Sequence, residues 1–398
     1  MTSATARPLR LYLIAGEHSG DALGAKLMAE IKTRLGAAVV FDGVGGEDMA
    51  REGLVSLFPL SEVAVMGPIN IFKQLPRLID RVHETVRDAV AVSPDAIVII
   101  DSPEFTHPIA KRIRQRLPSV PVIDYVSPTI WAWRPGRARK MRAYVDHVLA
   151  LLPFEPDAHA RLGGPACTYI GHALSERLDM IRSPNADALR ARLSLDPKKR
   201  ILVVLPGSRV SEVSRLMPPF GQTVRRLRDA LPEGLEVLLP VVPSVRGLIE
   251  EALKTWDVPV HVIEGEADKF AAFQLADAAL AASGTVTLEL GLVGTPAIVA
   301  YKVDVVISHM RFLLKAQSVV LANLVAGENI YPEFLQENAT PEKMARALIP
   351  LLSHSTERTK QVEALARVSE RIATGGRRPS ALAADVVLDY AIHARLRA

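Results

Sequence analysis

Short, almost continuous apolar runs alternate with longer amphipathic stretches along most of this chain. The amphipathic stretches at Ala22–Leu35 and Ile109–Leu117 predict helices. Strands that are apolar on both faces and alternate with helices are typical of a parallel sheet covered on both sides. In the first half of the chain, the apolar runs predict strands at Leu9–Gly16, Val39–Gly43, Asp95–Asp101, Val120–Val126 and Asp146–Leu152.

The same alternation begins again after a polar stretch, Gly171–Pro197, which we interpret as a linker. We therefore predict an α/β protein with two doubly wound, Rossmann-like domains facing a cleft, followed by a helical tail. We expect domains at residues 1–172 and 173–364, and a tail at 365–398 that packs back on an N-terminal domain. In the second half, the apolar runs predict strands at Ile201–Gly207, Leu235–Pro240, Val260–Glu264, Ala278–Ala282 and Ala297–Tyr301.

Composition narrows the function classes. The 398 residues include 48 basic and 44 acidic side chains, a net charge of +4, which is too small for a dedicated nucleic-acid binder. The single cysteine, Cys167, excludes an intrachain disulfide or a metal site built from several cysteines of one chain. The start of the chain has no apolar leader and no stretch is typical of a membrane span. We expect a soluble or membrane-surface protein.

Two motifs in the first half follow predicted strands, where ligands of parallel sheets bind. The segment AGEHSGD places Glu17 and Ser19 between glycines in a strand-to-helix turn. The alternative for this segment is an ordinary capped turn. Asp101 ends an apolar strand, where a partly desolvated carboxylate suits general-base chemistry. Its alternative is a helix-capping or turn aspartate.

Two motifs in the second half have the chemistry of a nucleotide site. In LPGSR, Gly207 permits close backbone approach, Ser208 adds a hydroxyl, and Arg209 adds a cation suited to phosphate, although a solvated surface turn is the alternative. In ASGTVTLEL, residues 283–285 precede a helix that begins near Thr285 and can present donors to a phosphate at its positive end. Glu289, one turn later, can accept both hydroxyls of a ribose. The alternative is a buried capping box.

Other ligand classes lack their motifs. The first strand-to-helix turn has no G-x-G-x-x-G, no Walker A sequence occurs, and the ten histidines are scattered without H-E-x-x-H. Dinucleotide, P-loop and zinc chemistry are therefore disfavoured. We expect no cofactor and no metal, and the absence of an Asp-x-Asp motif favours a metal-free donor site.

Eight segments occur in an order that matches one family: AGEHSGD, IDSPEF, YVSPTIWAWRPGRARKM, LLPFEPD, GHAL, LPGSR, SGTVTLELGLVGTPAIVAYK and LANLVAGENIYPEFLQ. On these segments, from about Leu11 to Gln336, the chain closely resembles the lipid-A-disaccharide synthases. The resemblance implies the two-lobed GT-B fold. It also implies an inverting transfer from UDP-2,3-diacylglucosamine to 2,3-diacylglucosamine 1-phosphate (lipid X), forming a β-1′,6 linkage and releasing UDP.

The resemblance also implies roles for individual residues. It makes Asp101 the base and places Glu17 and Ser19 on the acceptor side, with Glu17 grouped among the catalytic residues. Possible homodimers and a location on the cytoplasmic face of the inner membrane follow from the same family. The donor-side residues that it implies are Gly207, Ser208, Arg209, Ser283, Gly284, Thr285, Glu289, Asn323 and Gln336.

If lipid substrates and an anionic membrane surface are the partners, we expect part of the protein surface to be apolar and basic. The segment Glu62–Leu78 is apolar and interrupted by glycine and prolines, which suits entry of acyl chains, although a core helix is the alternative. A tryptophan- and arginine-rich cluster suits anionic headgroups and the acceptor phosphate, although a solvated basic helix is the alternative. No nucleic-acid-binding motif accompanies it. The residues predicted for acceptor and membrane contact are Val65, Met66, Ile69, Phe72, Trp133, Arg134, Arg137 and Arg139.

Two other functions stay open at this point. A UDP-sugar epimerase of similar two-lobed build would need no lipid acceptor. A nucleotide-sugar-binding protein without catalysis would bind UDP and turn over nothing, and Asp101 would then be dispensable.

Overall fold

The computed structural model describes residues 7–64, 68–182, 185–302 and 318–397, except for the side chains of residues 68–74 and 182. The chain divides into two compact units. Unit 1 is formed by Met1–Glu176 together with Thr374–Ala398, and unit 2 by Arg177–Ala373. The chain thus leaves unit 1, builds unit 2, and returns to unit 1 with its last helix.

Unit 1 contains a six-stranded parallel sheet in the order β2-β1-β3-β4-β5-β6 among the residues described. Its strands are β1 (Leu9–Ala15), β2 (Val39–Val44), β3 (Ala96–Ile100), β4 (Val122–Tyr125), β5 (His147–Ala150) and β6 (Ala166–Tyr169). The chain moves from β1 outward to β2 and then returns to β3 on the other side of β1. This reversal leaves a crevice at the carboxyl ends of β1 and β3, the usual ligand position in such sheets.

Helices cover both faces of the unit 1 sheet. Leu11 and Leu13 of β1 pack into one core with α1 and α16, whereas Tyr12 and Ile14 pack into the other with α3 and α4. Both faces are buried, which explains why β1 has a continuous apolar run rather than an alternating pattern. The helices of unit 1 are α1 (His18–Leu35), α2 (Glu47–Arg51), α3 (Pro68–Val92), α4 (Pro103–Arg116), α5 (Gly136–Met141), α6 (Glu155–Leu162) and α16 (Pro379–Arg397).

Unit 2 repeats the plan with a different strand order. Its described residues form a six-stranded parallel sheet ordered β12-β11-β10-β7-β8-β9. The order reverses between β7 and β10, which are hydrogen-bonded neighbours, so the crevice lies at their carboxyl ends. The strands are β7 (Arg200–Leu205), β8 (Leu235–Pro240), β9 (Val260–Ile263), β10 (Ala278–Ala282), β11 (Ala297–Tyr301) and β12 (Glu333–Leu335).

Two short helices, of five and seven residues, precede β7 in unit 2. A buried apolar core between α9, α14 and the sheet includes Phe220, Leu239 and Leu348. The helices are α7 (Leu178–Arg182), α8 (Ala186–Arg192), α9 (Val210–Ala230), α10 (Arg246–Leu253), α11 (Glu266–Leu275), α12 (Val286–Val293), α13 (Leu321–Ala326), α14 (Pro341–Leu351) and α15 (Thr356–Ile372).

The prediction of an α/β protein with parallel, doubly wound sheets and a helical carboxyl-terminal segment is confirmed. Several local predictions need correction. The predicted linker Gly171–Pro197 contains the helices α7 and α8, and β6 and β12 were not predicted, because they are short edge strands that are only partly buried. Among the described residues, no helix has both the length and the apolar composition needed to cross a membrane.

Candidate functional site

In unit 1, the loops that follow β1 and β3 meet at the point where the strand order reverses. Gly16 brings them together, because a Cβ atom at this position would lie only 2.5 Å from Cβ of Ser102. A Cβ atom at Gly20 would lie 3.0 Å from the carbonyl oxygen of Ile100, the last residue of β3. The glycines of AGEHSGD therefore serve the contact between two loops of the protein itself.

Asp101 projects from the loop after β3 with its carboxylate held at both oxygens. The hydroxyl of Ser19 donates to Oδ2 at 3.1 Å, and the backbone amide of Ser102 donates to Oδ1 at 2.7 Å. The amide of Asp101 itself donates to the carbonyl of Tyr125, which continues the sheet by one residue. The side chain is partly exposed, so the carboxylate is oriented and remains accessible to a ligand.

The backbone that carries Asp101 adopts an unfavourable conformation. Asp101 has φ 55° and Ser102 has φ 46°, two consecutive left-handed residues without a glycine. Such residues cost of order 1 kcal/mol or more each and cluster at functional sites. The energetic cost and the position together make this turn a candidate functional site.

Two acidic residues of the first loop have different surroundings. Glu17 is half-buried at the start of α1 and its side chain does not cap that helix. Asp21, one turn later, is buried and accepts hydrogen bonds from the amides of Gly46, Asp48 and Met49. Asp21 therefore caps α2 and joins the start of α1 to the loop that follows β2. Sequence reasoning treated it only as a turn residue, although an aspartate at an inward-facing helix position was a usable signal.

A buried histidine–aspartate pair lies near Asp101. Nε2 of His107 is 3.1 Å from Oδ2 of Asp124, although the alignment is poor for a hydrogen bond, and Nδ1 of His107 is 3.1 Å from the hydroxyl of Tyr144. Burial raises the pKa of Asp124, while His107 opposes that shift. A buried carboxyl group in this strand was not predicted, because Asp124 interrupts a run of apolar residues.

A second buried carboxyl group anchors the tryptophan-rich segment. Glu155 accepts the indole N–H of Trp131 at 3.2 Å and the amides of Leu151 and Leu152 at 3.1 and 3.0 Å. Burial raises the pKa of Glu155 to about 7. Nearby, Nε2 of His159 lies 2.9 Å from the hydroxyl of Ser127, and burial lowers the pKa of His159 to about 4.

Part of the predicted basic cluster lies beside the Asp101 loop. Arg137 pairs with Glu104, three residues after Asp101, and Arg134 lies 3.7 Å from the same carboxylate and over the ring of Trp133. Arg139 is exposed on α5. Of the predicted acyl-contact residues, Val65 and Met66 lie outside the described residues, as do the side chains of Ile69 and Phe72.

In unit 2, the loop after β7 is organised by Glu212, a residue in the first turn of α9. Its buried carboxylate accepts the amides of Ser208 and Arg209 and pairs with the Arg209 guanidinium at 2.8 Å. Gly207 has φ 112°, and a Cβ atom there would lie 2.5 Å from the Glu212 carboxylate. Close approach at Gly207 is therefore made by Glu212, while the Arg209 side chain remains 70% exposed.

The loop after β10 presents the start of α12. Gly284, with φ 149°, and Thr285 are exposed, and the amides of Thr285 and Val286 have no partner among the residues that the structure describes. The hydroxyl of Ser283 donates to the carbonyl of Val319 at 2.6 Å, so its oxygen is left only as an acceptor. The open amides at a positive helix end suit an anionic group.

Glu289 follows one turn into α12, on the side of the helix that faces α11. It is partly buried, and the Lys269 ammonium donates to its Oε2 at 2.8 Å. Sequence reasoning missed Lys269, which lies twenty residues away on another helix.

Asn323 and Gln336, the last two residues predicted on the donor side, differ in their exposure. Asn323 is 2% exposed, and its amide bonds Asn329, Tyr331 and Glu333 within the protein, so it holds the loop between α13 and β12. Gln336 directly follows β12 with φ 52° and is partly exposed at the carboxyl edge of the sheet. Gln336 is therefore the more accessible of the two.

Comparison with known proteins decides between the functions that share this architecture. The family model for lipid-A-disaccharide synthetase matches residues 11–387. A lipid-A-disaccharide synthase of Nitrobacter winogradskyi is 50% identical over 396 residues, covering 99% of both chains. The chain belongs to the lipid-A-disaccharide synthase family.

More distant solved structures share only the fold. UDP-GlcNAc 2-epimerase from Neisseria meningitidis, solved with UDP-GlcNAc, matches with a TM-score of 0.64 at 11% identity, covering 96% of this chain and all of that one. MurG of Acinetobacter baumannii matches with a TM-score of 0.59 at 12% identity, with the same coverage. The fold is thus of the GT-B type, and the family match, not the fold, separates a lipid-A-disaccharide synthase from an epimerase.

Proposed function

We propose that this chain transfers the sugar of UDP-2,3-diacylglucosamine to the 6-hydroxyl of lipid X. The products are the β-1′,6-linked disaccharide 1-phosphate and UDP. Membership of the family supports the reaction. The observation in the structure that supports this chemistry best is Asp101, an oriented, accessible carboxylate on a strained turn at the strand-order reversal of unit 1.

In this mechanism, Asp101 takes the proton from the 6-hydroxyl of the acceptor as that oxygen attacks C1 of the donor sugar. The O6–C1 bond forms while the bond from C1 to the β-phosphate oxygen breaks, and UDP leaves with the electron pair. A single displacement from the opposite side inverts the anomeric centre. Ser19 keeps Oδ2 of Asp101 aimed by its hydrogen bond.

The leaving diphosphate gains negative charge, and unit 2 supplies groups that stabilise it. Arg209 offers an exposed guanidinium, and the free amides at the start of α12 add oriented dipoles. Glu289 accepts the ribose hydroxyls. Gly207 and Glu212 act by holding Arg209, and Asn323 by holding its loop, so neither Gly207 nor Asn323 needs to contact the donor.

The decisive assay incubates the purified protein with both lipid substrates in the presence of EDTA and analyses the lipids by mass spectrometry. We expect the disaccharide 1-phosphate and one UDP per product. Incubation with UDP-GlcNAc alone, followed by NMR, tests for epimerisation, and calorimetry with UDP tests for binding. Epimerised sugar without a lipid acceptor, or UDP binding without any turnover, would contradict the proposal.

We also propose that the protein works on the cytoplasmic face of the inner membrane, as a peripheral protein. Trp133 and Arg139 of the basic cluster are available on unit 1, and Leu75 and Ile79 of α3 are 44% and 46% exposed on one helical face. Exposed apolar and basic groups together favour a surface of anionic lipid.

Flotation with phosphatidylcholine–phosphatidylglycerol vesicles tests this surface. The double variant Arg137→Glu, Arg139→Glu should bind several-fold less than the wild type, whereas Arg367→Glu, an exposed arginine of unit 2, should bind normally. Equal binding of all three would contradict the proposal. A homodimer stays a prediction, which light scattering in solution can test.

A further inference from the structure

Lys269 contacts Glu289, the carboxylate proposed to bind the ribose. Its ammonium lies 2.8 Å from Oε2 of Glu289, and the two side chains are only 23% and 12% exposed. Lys269 comes from α11 and Glu289 from the first turn of α12, so the pair joins two helices at the edge of the nucleotide site.

Aromatic rings hold the lysine in place. Nζ of Lys269 lies 4.4 Å from the ring centroid of Phe270 and 6.0 Å from that of Phe273. The two rings are buried and pack edge to face at 5.9 Å. A cation over a ring face is attracted by the ring quadrupole, and buried rings move little. The ammonium therefore has a defined position before any nucleotide binds.

This arrangement divides the two oxygens of Glu289 between two tasks. Lys269 engages Oε2, which leaves Oε1 to accept a hydrogen bond from a ligand. The lysine also offsets the charge of a carboxylate that stands one turn from Thr285, where a diphosphate would bind. Without the lysine, Glu289 would rotate more freely and would repel the anion that the site must hold.

We propose that Lys269 is a positioning residue: it aims Glu289 at the ribose and thereby makes the site select ribonucleotides over 2′-deoxyribonucleotides. This inference rests on the proposed donor site. A site built to bond a hydroxyl penalises a ligand that lacks it, because its own polar group is then left unpaired. If Glu289 is poorly aimed, a ligand that has the hydroxyl gains less from bonding it, so the difference in affinity between the two ligands shrinks.

Calorimetric titration with UDP and with 2′-deoxy-UDP tests the inference. We expect the wild type to prefer UDP roughly 10- to 100-fold. Lys269→Met should reduce this ratio at least about fivefold, while Lys269→Arg should retain most of it. The double variant Lys269→Met, Glu289→Gln should show the ratio of Glu289→Gln alone, because the lysine acts through the glutamate.

The ratio distinguishes positioning from simpler effects. Loss of charge compensation alone would weaken both nucleotides in proportion and leave their ratio unchanged, and so would a general loss of stability, which thermal unfolding measures directly. Lys254→Met is the matched control, because Lys254 pairs with Glu251 on the exposed side of α10. It should leave both affinities unchanged.

Three results would overturn the inference at different levels. If the wild type binds neither nucleotide, the proposed donor site is wrong. If it binds UDP but Glu289→Gln keeps the full preference for ribose, the role of Glu289 is wrong. If Glu289→Gln loses the preference and Lys269→Met keeps it, only the role of Lys269 is wrong.

Discussion

Units 1 and 2 place their functional residues at the same topological position but equip it differently. In unit 1, the strand-order reversal between β1 and β3 carries Asp101 on two left-handed residues that are not glycine. In unit 2, the reversal between β7 and β10 uses glycines, Gly207 and Gly284, for its left-handed positions. The first turn presents the carboxylate of Asp101, whereas the second presents backbone amides.

The two turns also differ in their electrostatic surroundings. The turn in unit 1 lies near the buried pair of His107 and Asp124, and burial raises the pKa of Asp124. The turns in unit 2 have an exposed arginine and open amides instead. Proton transfer needs a side chain of defined protonation, whereas anion binding needs fixed positive charge and dipoles. Under the proposed function, the same topological position would serve proton transfer in unit 1 and anion binding in unit 2.

The largest expected effect is on the base. Asp101→Asn should lower kcat by about 10²- to 10⁴-fold, because general-base catalysis typically contributes that much. Its affinity for UDP, measured by calorimetry, should stay within twofold of the wild type. Asp389→Asn, an exposed aspartate on α16, is the matched control and should keep full activity. Near-normal turnover of Asp101→Asn would contradict the proposal that the turn in unit 1 supplies a general base, which is what distinguishes it from the turns in unit 2.

The buried carboxyl group of Glu155 should give unit 1 a pH-dependent stability. Its folded pKa of about 7 lies above the ordinary 4.5, so the folded state binds the proton more tightly. The stabilisation is fully present below pH 4.5 and is lost as the pH rises to 7, by about 3 kcal/mol at most. His159 acts in the opposite direction, because its stabilisation is present above pH 6.5 and is lost as the pH falls towards 4.

The variant Glu155→Gln separates the contribution of Glu155 to the free energy of unfolding from that of His159. Its amide oxygen can still accept the backbone donors, but it does not titrate. The free energy of unfolding from urea titrations should therefore show a wild-type minus variant difference that falls steadily between pH 4.5 and 7. A flat difference across that window would contradict the assigned pKa.

Substitution of Arg209 tests the proposed diphosphate contact in unit 2. Arg209→Ala should weaken UDP binding by roughly 10- to 50-fold at low ionic strength, since an exposed guanidinium contacting phosphate contributes a charge-assisted pair. The loss should shrink as salt is raised. Arg226→Ala, an exposed arginine on α9 that pairs with Glu342, should bind UDP normally. If both variants bind equally well, the diphosphate is held elsewhere.

The smallest expected effect concerns the aim of Asp101. Ser19→Ala removes one hydrogen bond to its carboxylate and should reduce kcat by about three- to tenfold. Ser102→Ala is the matched control, because the buried Ser102 hydroxyl has no partner among the residues described. Removing it should leave kcat unchanged and the melting temperature unchanged or higher. Equal effects of the two variants would contradict the positioning role of Ser19.

Most strands and the parallel, doubly wound arrangement could be predicted from the sequence, because strands buried on both faces have continuous apolar runs. Boundaries were less predictable. Helix α1 begins at His18 rather than Ala22, and α4 at Pro103, since polar first turns lack apolar periodicity. The edge strands β6 and β12 are short and only partly buried, so their patterns carried little signal.

The site could be predicted as a set of motifs but not as a set of contacts. Asp101, Arg209 and Glu289 stand at strand ends or helix starts, and that position is visible in the sequence. Their partners Ser19, Glu212 and Lys269 depend on how loops and helices pack. The inward-facing helix position of Asp21 signals its burial, but its partners, the amides of Gly46, Asp48 and Met49, again depend on packing.

The sequence by itself determined which residue types follow which strands, because hydrophobic periodicity and turn chemistry are local properties. The tertiary structure decided which polar groups are buried, which oxygen of a carboxylate is already bonded, and which backbone amides remain free. Those properties depend on neighbours that are distant in the chain. They arise only when the elements pack, and packing sets both the desolvation and the hydrogen-bond geometry of each group.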